Sequence, residues 1–265
     1  ARWWAVDPLA EKYYSLTPYN YVANNPLVFV DPNGMSYTDF FDKEGNFLRT
    51  DGIKNGKILI EDPVNNVPNW TSPSYACISN DAKSKIYTYY YTKKFGQNAT
   101  NQLFGGRINV VDLDNAIATA SINNKGQRMI SMDSNEPFFD NYFNIWNIQV
   151  HEKGHFDNFT KNKNGTYSYN NSTDLFEPGG SFRHLNDAYR LQIKDNSWNS
   201  VTPEFKEQQV KNIGMYIYGI WATDGNKELY YQQLNFYEKE LGIKFDYSQY
   251  VKVPRTGSSN LIKYK

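Results

Sequence analysis

The hydrophobic and polar residues follow a short, β-like pattern in the first half of the chain. Residues 39–63, DFFDKEGNFLRTDGIKNGKILIEDP, alternate short apolar runs with glycine turns, which is typical of β-hairpins. In residues 115–135, NAIATASINNKGQRMISMDSN, two β-compatible runs flank a turn at 123–126, which predicts another hairpin ending near Met132. Between these stretches, residues 84–95, SKIYTYYYTKKF, are compatible with a strand or a helix.

The second half of the chain carries apolar residues at helical spacing. One helix is predicted to begin at Ser134 or Asn135, with Pro137 in its first turn, and to end near residues 162–165. Three more helices are predicted over residues 182–195, 203–222 and 226–242. The second of these follows an N-cap threonine and an N1 proline, and the third ends at a C-cap glycine. Strands followed by helices indicate an α+β fold.

The sequence HEKGH, residues 151–155, lies inside the first predicted helix. Residues i and i+4 share one helix face, so His151 and His155 can direct two imidazoles at one cation. Glu152 is offset towards the side where a metal-bound water would lie, which is the physical content of the HExxH motif. Zinc lowers the pKa of that water, the glutamate takes its proton, and the hydroxide attacks a polarised carbonyl. The motif therefore predicts a zinc site with Glu152 as general base; the alternatives are a solvated helix face and an ancestral site that has lost its metal.

A catalytic zinc also needs a third protein ligand and one open position. The chain has only one other histidine, His184, at the start of the next predicted helix, and it is the predicted third ligand. Glu177 and Asp187 are the alternatives, and Asp187 lies one turn from His184, where it could orient the imidazole. This arrangement resembles the glutamate-type zincins, in which a later helix supplies a glutamate ligand and then an orienting aspartate. Because FDNFTK, residues 156–161, follows the motif, the chain lacks the HxxGxxH continuation of metzincins.

Composition and charge narrow the classes of function. The 28 Lys and Arg balance the 28 Asp and Glu, so the chain has no excess positive charge that would favour binding to nucleic acid or an anionic membrane. The longest apolar runs are too short to span a bilayer, which predicts a soluble chain. The single Cys77 excludes an intrachain disulfide and is expected to be a small buried hydrophobe. No oxyanion-stabilising group can be selected from the 22 tyrosines, and Tyr189 is expected to belong to the core.

The first 36 residues have a different character, with DP, TP, NNP and DPNG turns between short aromatic or aliphatic runs. Five segments are characteristic: RW at 2–3, VDPLAE at 6–11, PYNY at 18–21, NNP at 24–26 and DPNG at 31–34. With these segments the stretch closely resembles the C-terminal end of an Rhs repeat-associated core domain. The resemblance divides the chain into an Rhs-core C-terminal segment, residues 1–36, and a variable C-terminal toxin domain, residues 37–265.

The resemblance to the Rhs family also implies partners and a setting. In that family the core closes a large β-shell of YD repeats, and the following domain is commonly a toxin acting on a competing cell. An upstream Rhs shell, a cognate immunity protein and secretion or delivery of a bacterial effector are therefore expected. Some members cleave themselves beyond the DPxG with an aspartate pair, here Asp7 and Asp31 by resemblance, although Asp7 is equally suited to open a turn. The chain begins without Met or a signal peptide and is expected to be a piece of a longer polypeptide.

Together, the motif and the resemblance predict a zincin-like domain in which N-terminal β-hairpins and an antiparallel sheet precede the helices. The expected function is a zinc-dependent metallopeptidase effector of an Rhs-type polymorphic toxin, which hydrolyses peptide bonds in a protein or peptide substrate. One alternative is a non-catalytic interaction or adhesion module with a vestigial metal site. The other is a nuclease toxin, which the neutral charge disfavours.

Overall fold

A computed structural model describes most of the chain beyond the Rhs-like segment. The described residues are 38–50, 55–61, 70–73, 78–114, 116–156, 159–163, 165, 167–169, 188–224, 227–254 and 260–264. Several sequence predictions fall outside these ranges: those on segment 1–36 with Asp7 and Asp31, and those on Cys77, Glu177, His184 and Asp187.

The first sheet contains four short strands in the order β2-β1-β3-β4. They are β1 (Asp39–Phe41), β2 (Phe47–Thr50), β3 (Ile58–Glu61) and β4 (Trp70–Thr71). The hairpin predicted around the glycine turn at residues 44–46 is confirmed, because β1 and β2 are antiparallel. The second hairpin predicted there is wrong, because β3 pairs with β1 in parallel and not with β2. Burial explains the difference: the apolar β3 takes an inner position, whereas β2 exposes Phe47 and Leu48.

The aromatic stretch that fitted either a strand or a helix is helical. Helix α1 (Asn80–Phe95) begins after Ser79, whose side chain accepts a hydrogen bond from the amide of Ala82, and ends at Gly96 with a positive φ of 84°. Its buried face carries Ile86, Tyr87, Tyr90 and Tyr91. A short helix, α2 (Gln97–Asn101), follows directly. The aromatic side chains are therefore accommodated by packing on one face of α1.

The second sheet contains three strands in the order β5-β7-β6. They are β5 (Asn109–Val111), β6 (Ala118–Ile122) and β7 (Arg128–Asp133). The hairpin predicted to end near Met132 is confirmed as the antiparallel pair β6–β7. Asn123 organises its turn, since its side-chain oxygen accepts hydrogen bonds from the amides of Lys125 and Gln127. Strand β5 adds to β7 in parallel, so β6 lies at an edge of the sheet among the described residues.

The helix that carries HEKGH is shorter than the sequence suggests. A 3-10 turn (Pro137–Asp140) comes first, and α3 (Tyr142–His155) begins only after Asn141, which is extended and caps the amide of Phe143. The helix ends at the motif and not near residues 162–165, because β8 (Phe159–Lys161) and β9 (Tyr167–Tyr169) form a hairpin there. The motif therefore occupies the last turns of α3 and not its middle.

The remaining chain is mainly helical, as predicted. The helices are α4, described over residues 188–194, α5 (Pro203–Asp224) and α6 (Lys227–Leu241), and a hairpin of β10 (Tyr250–Pro254) and β11 (Asn260–Tyr264) follows. Gly242 ends α6 with a positive φ of 67°, as its predicted C-cap role requires. The predicted α+β class is confirmed. None of the described helices has the length and hydropathy needed to cross a membrane.

Helix α3 lies where two hydrophobic clusters meet. Its residues Ile145 and Ile148 belong to the cluster that joins both sheets to α1. The second cluster is built from α4, α5 and α6, and includes Tyr189 and Ile193 of α4. The side of α3 that faces α4 carries His151, and there the buried contacts become polar. This change of character on one face of α3 marks the candidate site.

Candidate metal centre

His151, Glu152 and His155 form one buried group at the C-terminal end of α3. Their possible ligand atoms all lie within 4.8 Å of one another, and the two imidazole centroids are 4.9 Å apart. The prediction that a helix turn brings the two imidazoles together is therefore confirmed. Tetrahedral coordination with Zn–N bonds of about 2.0–2.1 Å would separate two nitrogens by about 3.4 Å, a distance within the reach of small side-chain rotations.

Burial argues against a solvated helix face. The three side chains are only 6%, 4% and 7% exposed, although each is polar and a glutamate is almost never fully buried unless it is paired. Helix α3 packs against α1 and the second sheet on one side and against the 3-10 turn Asn196–Asn199 on another. Buried ionisable groups are costly unless they are paired or bind a cation. A His-Glu-His group in this position is therefore better explained by a ligand than by exposure to solvent.

Burial also sets the protonation of the group. Burial, with a smaller contribution from His155, lowers the pKa of His151 to about 3 although its hydrogen bond to Gln192 opposes the shift. Burial raises the pKa of Glu152 to about 8. Before any cation binds, the site therefore holds a neutral His151 and a protonated Glu152 near neutral pH. A neutral imidazole is the form that binds metal, so His151 is prepared for this role.

A residue of α4 forms a hydrogen bond with the imidazole of His151. Its Nδ1 lies 2.9 Å from the side-chain oxygen of Gln192, a residue that is fully buried. Gln192 in turn donates from Nε2 to the side-chain oxygens of Asn147 and Gln209, at 2.9 Å and 3.3 Å. Metal-binding histidines usually bond their second ring nitrogen to a protein acceptor in this way. Sequence reasoning missed these amides: Asn147 had a signal, since it lies four positions before His151 on the same helix, but Gln192 and Gln209 had none.

Tyr189 is the aromatic neighbour of the site. Its ring centroid lies 4.5 Å from that of His151, in an edge-to-face arrangement. Burial and the nearby Glu152 carboxyl raise the pKa of Tyr189 well above its usual value, so the phenol keeps its proton. The sequence prediction that Tyr189 belongs to the core is confirmed by its 8% exposure and its place in the second cluster. The same residue borders the candidate metal site, a position that the helical pattern alone did not reveal.

Gly154 allows α4 to approach the motif closely. A Cβ at this position would lie 2.9 Å from Cδ1 of Leu191 and 3.3 Å from Cα of Ala188. Real Cβ atoms essentially never show the first distance and rarely show the second. A glycine in a helix interior costs about 1 kcal/mol relative to alanine. That cost is offset here by a close contact that brings Tyr189 and Gln192 against the motif.

The third ligand stays a prediction. His184, Glu177 and Asp187 precede the described part of α4, which begins at residue 188. The described turns of that helix, from residue 188 on, supply Tyr189 and Gln192 to the site. Among the described residues, His151, Glu152 and His155 form the only group of three or more His, Cys, Asp or Glu side chains with this spacing.

The donor set fits zinc chemically. Two imidazoles and a nearby carboxyl match the nitrogen and oxygen donors that Zn²⁺ accepts, whereas Mg²⁺ and Ca²⁺ require mostly oxygen ligands. The second nitrogen of one ligand is already bonded to a protein acceptor. The described part of the site therefore offers donors of the kind that Zn²⁺ accepts.

Comparisons of the chain with protein families, curated proteins and solved structures found no match. Any assignment of function therefore depends on the residues of α3 and α4 and their geometry.

Proposed function

We propose that the chain is a zinc-dependent metallopeptidase effector in which His151 and His155 bind the metal and Glu152 is the general base. The observation that carries this proposal is the buried His-Glu-His group on one helix, with ligand atoms within 4.8 Å of one another. His184 is proposed as the third ligand, with Glu177 and Asp187 as alternatives. Bound zinc would supply a Lewis acid that polarises the scissile carbonyl and makes a water more acidic.

Glu152 would act as the proton shuttle of the reaction. Its pKa of about 8 before metal binding places its proton exchange in the range that general acid–base catalysis uses. The carboxylate would accept a proton from the attacking water and pass it to the amine that leaves. The result is one peptide bond broken, one water consumed, and a carboxyl and an amino terminus released. Tyr189, whose ring packs against His151, would keep its phenol proton during the reaction.

The second sheet offers a place for an extended peptide. Strand β6 lies against α3 and has no further strand on its outer side among the described residues. Its backbone groups on that side can pair with an added strand, which is a common mode of peptide recognition. Thr119 and Ser121 point to solvent, whereas Ala118, Ala120 and Ile122 pack against the core. An edge strand against the motif helix is also what the zincin-like fold, which we propose for residues 37–265, requires.

The biological setting follows from the Rhs resemblance of residues 1–36. We propose that the chain is the C-terminal end of an Rhs-type polymorphic toxin, secreted or delivered by a bacterium to a competitor. The producing cell would then need a cognate immunity protein, and the toxin domain would be carried by an upstream Rhs shell. The substrate would be a protein or peptide of the target cell.

Metal analysis and peptide cleavage test this function together. The purified chain, loaded with zinc and freed of excess metal, is incubated with a library of unstructured peptides, and new amino termini are identified by mass spectrometry. The expected result is about one zinc per chain and cleavage that a chelator stops. The variant Glu152→Gln is expected to keep zinc and lose cleavage. The matched control is Glu136→Gln, which changes another carboxyl with a burial-raised pKa but leaves the motif intact.

The outcomes separate the competing functions. Zinc binding without cleavage of any peptide would favour the interaction module with a vestigial site. Degradation of RNA or DNA that survives Glu152→Gln would favour the nuclease. Cleavage that is equally strong in Glu152→Gln and the wild-type chain would contradict the proposed role of the glutamate.

A further inference from the structure

We infer that Gln192 is a positioning residue that fixes His151 as the Nδ1–H tautomer, so that only Nε2 can bind the metal. Nothing in the HExxH pattern selects a residue on α4 for this purpose. The inference rests on the proposed metal site for its use, but the tautomer itself is a property of the metal-free protein. It follows from a chain of buried hydrogen bonds whose donors and acceptors can be assigned one after another.

The chain of assignments starts at a backbone carbonyl. The side chain of Asn147 lies 3.0 Å from the carbonyl oxygen of Gln192, and a carbonyl oxygen can only accept a hydrogen bond. The Asn147 atom at this position must therefore be the amide nitrogen. The same nitrogen donates to the hydroxyl oxygen of Ser197 at 3.1 Å. That hydroxyl can accept because its own proton goes to the carboxylate of Asp195, 2.6 Å away.

The orientation of Asn147 determines that of Gln192. With its nitrogen committed, Asn147 presents its side-chain oxygen to Gln192 at 2.9 Å, which requires a donor there. The Gln192 atom must therefore be Nε2, and it also donates to the side-chain oxygen of Gln209 at 3.3 Å. The remaining end of the amide, Oε1, is then the atom that faces His151.

The orientation of Gln192 determines the tautomer of His151. Oε1 can only accept, and it lies 2.9 Å from Nδ1 of the imidazole, so Nδ1 carries the proton. A neutral imidazole has one N–H, and the lone pair is therefore on Nε2. Metal binding through Nδ1 would break the bond to Gln192 and leave a buried amide oxygen without a donor. A buried acceptor that loses its donor destabilises the state that contains it.

Burial makes the arrangement difficult to rearrange. Asn147, Gln192 and Gln209 are at most 1% exposed, so water cannot replace a broken bond. The end of this hydrogen-bond series that lies farthest from His151 is fixed by an ion pair, since Lys94 donates to the carboxylate of Asp195 at 2.8 Å. Ser197, Asn147 and Gln192 thus connect a partly exposed ion pair to His151 and hold its imidazole in one orientation, and Gln209 supports Gln192 from the side.

The tautomer can be measured in the metal-free wild-type chain. With ¹⁵N-labelled histidine, two-bond proton–nitrogen correlations near neutral pH distinguish a protonated from an unprotonated ring nitrogen. We expect His151 to have its proton on Nδ1 and a lone-pair shift on Nε2. A proton on Nε2 in the wild-type chain would overturn the inference, whether or not any variant folds. A purely structural role for Gln192 makes no prediction about this signal.

A pair of variants tests the role in metal binding. Gln192→Met keeps the volume and removes the acceptor, and it is expected to mix the two tautomers and weaken zinc binding about 10- to 100-fold. The matched control is Gln149→Met on α3, which removes another fully buried amide, bonded to the carbonyl of Tyr87, without touching His151. The control is expected to keep the tautomer and a dissociation constant within about two-fold of wild type. Circular dichroism confirms that each variant is folded.

The outcomes distinguish the inference from the proposed function. If Gln192→Met binds zinc as tightly as the wild-type chain and keeps the same tautomer, the inference is overturned, whereas the proposed metallopeptidase function is unaffected. A wild-type chain that binds no zinc but shows the Nδ1–H tautomer would support the inference about His151 and contradict the function. Equal losses in Gln192→Met and Gln149→Met would show that burial of any amide matters, which also overturns it.

Discussion

Two buried carboxyl groups of this protein differ in how the chain compensates for their burial. Asp39 of β1 is 3% exposed, and it accepts a hydrogen bond from the phenol of Tyr90 at 3.0 Å and lies 3.6 Å from the ammonium of Lys93. Glu152 of α3 is 4% exposed, and its pKa is raised by burial with no compensating donor or cation among the described residues. The described part of the chain therefore provides partners for Asp39 and none for Glu152, which agrees with our proposal that Glu152 faces a bound metal.

We propose that this difference separates a structural carboxylate, Asp39, from a functional one, Glu152. A group that the protein's own donors satisfy stabilises the fold, and nothing further is needed to explain it. A group that is buried, perturbed and beside two imidazoles is typical of a catalytic or metal-binding site. Asp39 therefore serves as the internal control for Glu152.

The largest expected difference is in catalysis. Glu152→Gln is expected to lower peptide turnover about 10²- to 10⁴-fold with zinc retained, because the proton acceptor is lost and the metal ligands stay. Asp39→Asn is expected to keep turnover within about three-fold and to reduce stability by about 1–3 kcal/mol, because a buried charged bond is lost. Turnover on a cleaved peptide and urea unfolding measure the two effects. Similar losses of turnover in both variants would remove the distinction between the two carboxyls.

The pH dependence of stability in the metal-free protein should show the uncompensated site. The pKa of Glu152 is about 8 in the folded state against 4.5 in the ordinary group, so stability is present below pH 4.5 and is lost as pH rises through 8. The loss is on the order of 5 kcal/mol. His151, with a pKa lowered to about 3 from 6.5, gives the opposite slope, and stability is lost as pH falls below 6.5. The metal-free chain should therefore be most stable between these limits, at about pH 4.5–6.5.

Variants identify the source of the alkaline loss. Glu152→Gln should remove it, because the amide does not ionise, whereas Asp39→Asn should keep it. Denaturant unfolding across pH in the presence of a chelator is the measurement. An alkaline loss that persists unchanged in Glu152→Gln would mean that burial does not hold the proton on this carboxyl.

Metal should stabilise the fold through the same site. At a free zinc concentration of about 1,000 times the dissociation constant, binding to the folded state adds about 4 kcal/mol to the free energy of unfolding. His155→Ala should lose this gain, since one of the two imidazoles is removed, and Asp39→Asn should keep it. Thermal unfolding with and without zinc measures the gain. Equal stabilisation of His155→Ala and the wild-type chain would place the zinc elsewhere.

The smallest expected effect concerns the contact between α3 and α4. In Gly154→Ala the new methyl group would press on Leu191 and Ala188, at a cost of about 1–3 kcal/mol, while alanine favours the helix by about 1 kcal/mol. A net loss of about 1 kcal/mol is expected, together with weaker zinc binding because α4 carries the support of His151. Lys153→Ala, the half-buried neighbour, should change neither quantity. A stabilised Gly154→Ala with wild-type zinc affinity would show that the close approach has no part in the site.

Much of the candidate site could be predicted because it is local in sequence. His151, Glu152 and His155 lie within five positions, so the helical repeat alone places them together. The supporting residues could not be found in this way, because Gln192 is 41 positions from His151 and only the packing of α4 on Gly154 brings it there. An amide has no sequence pattern that separates a buried, bonded position from an exposed one.

The limits of the fold prediction have the same origin. The β6–β7 hairpin was predictable because its turn is local and Asn123 organises it. The parallel pairing of β1 with β3 is set by which strands are apolar enough to lie inside the sheet, a non-local choice. Helix α3 begins later than predicted because Asn141 takes an extended conformation. The spacing of the apolar residues continues through Asn141 without interruption, so it gave no sign of this boundary.

The most direct test of the central claim is zinc content combined with X-ray absorption of the purified chain. The metal site predicts about one zinc per chain, with at least two histidine nitrogens at about 2.0–2.1 Å from the metal. His151→Ala should lose most of the zinc, and Asp39→Asn should keep it. A chain that binds no zinc, or that binds it equally well without His151, would contradict the assignment of a metal centre to α3.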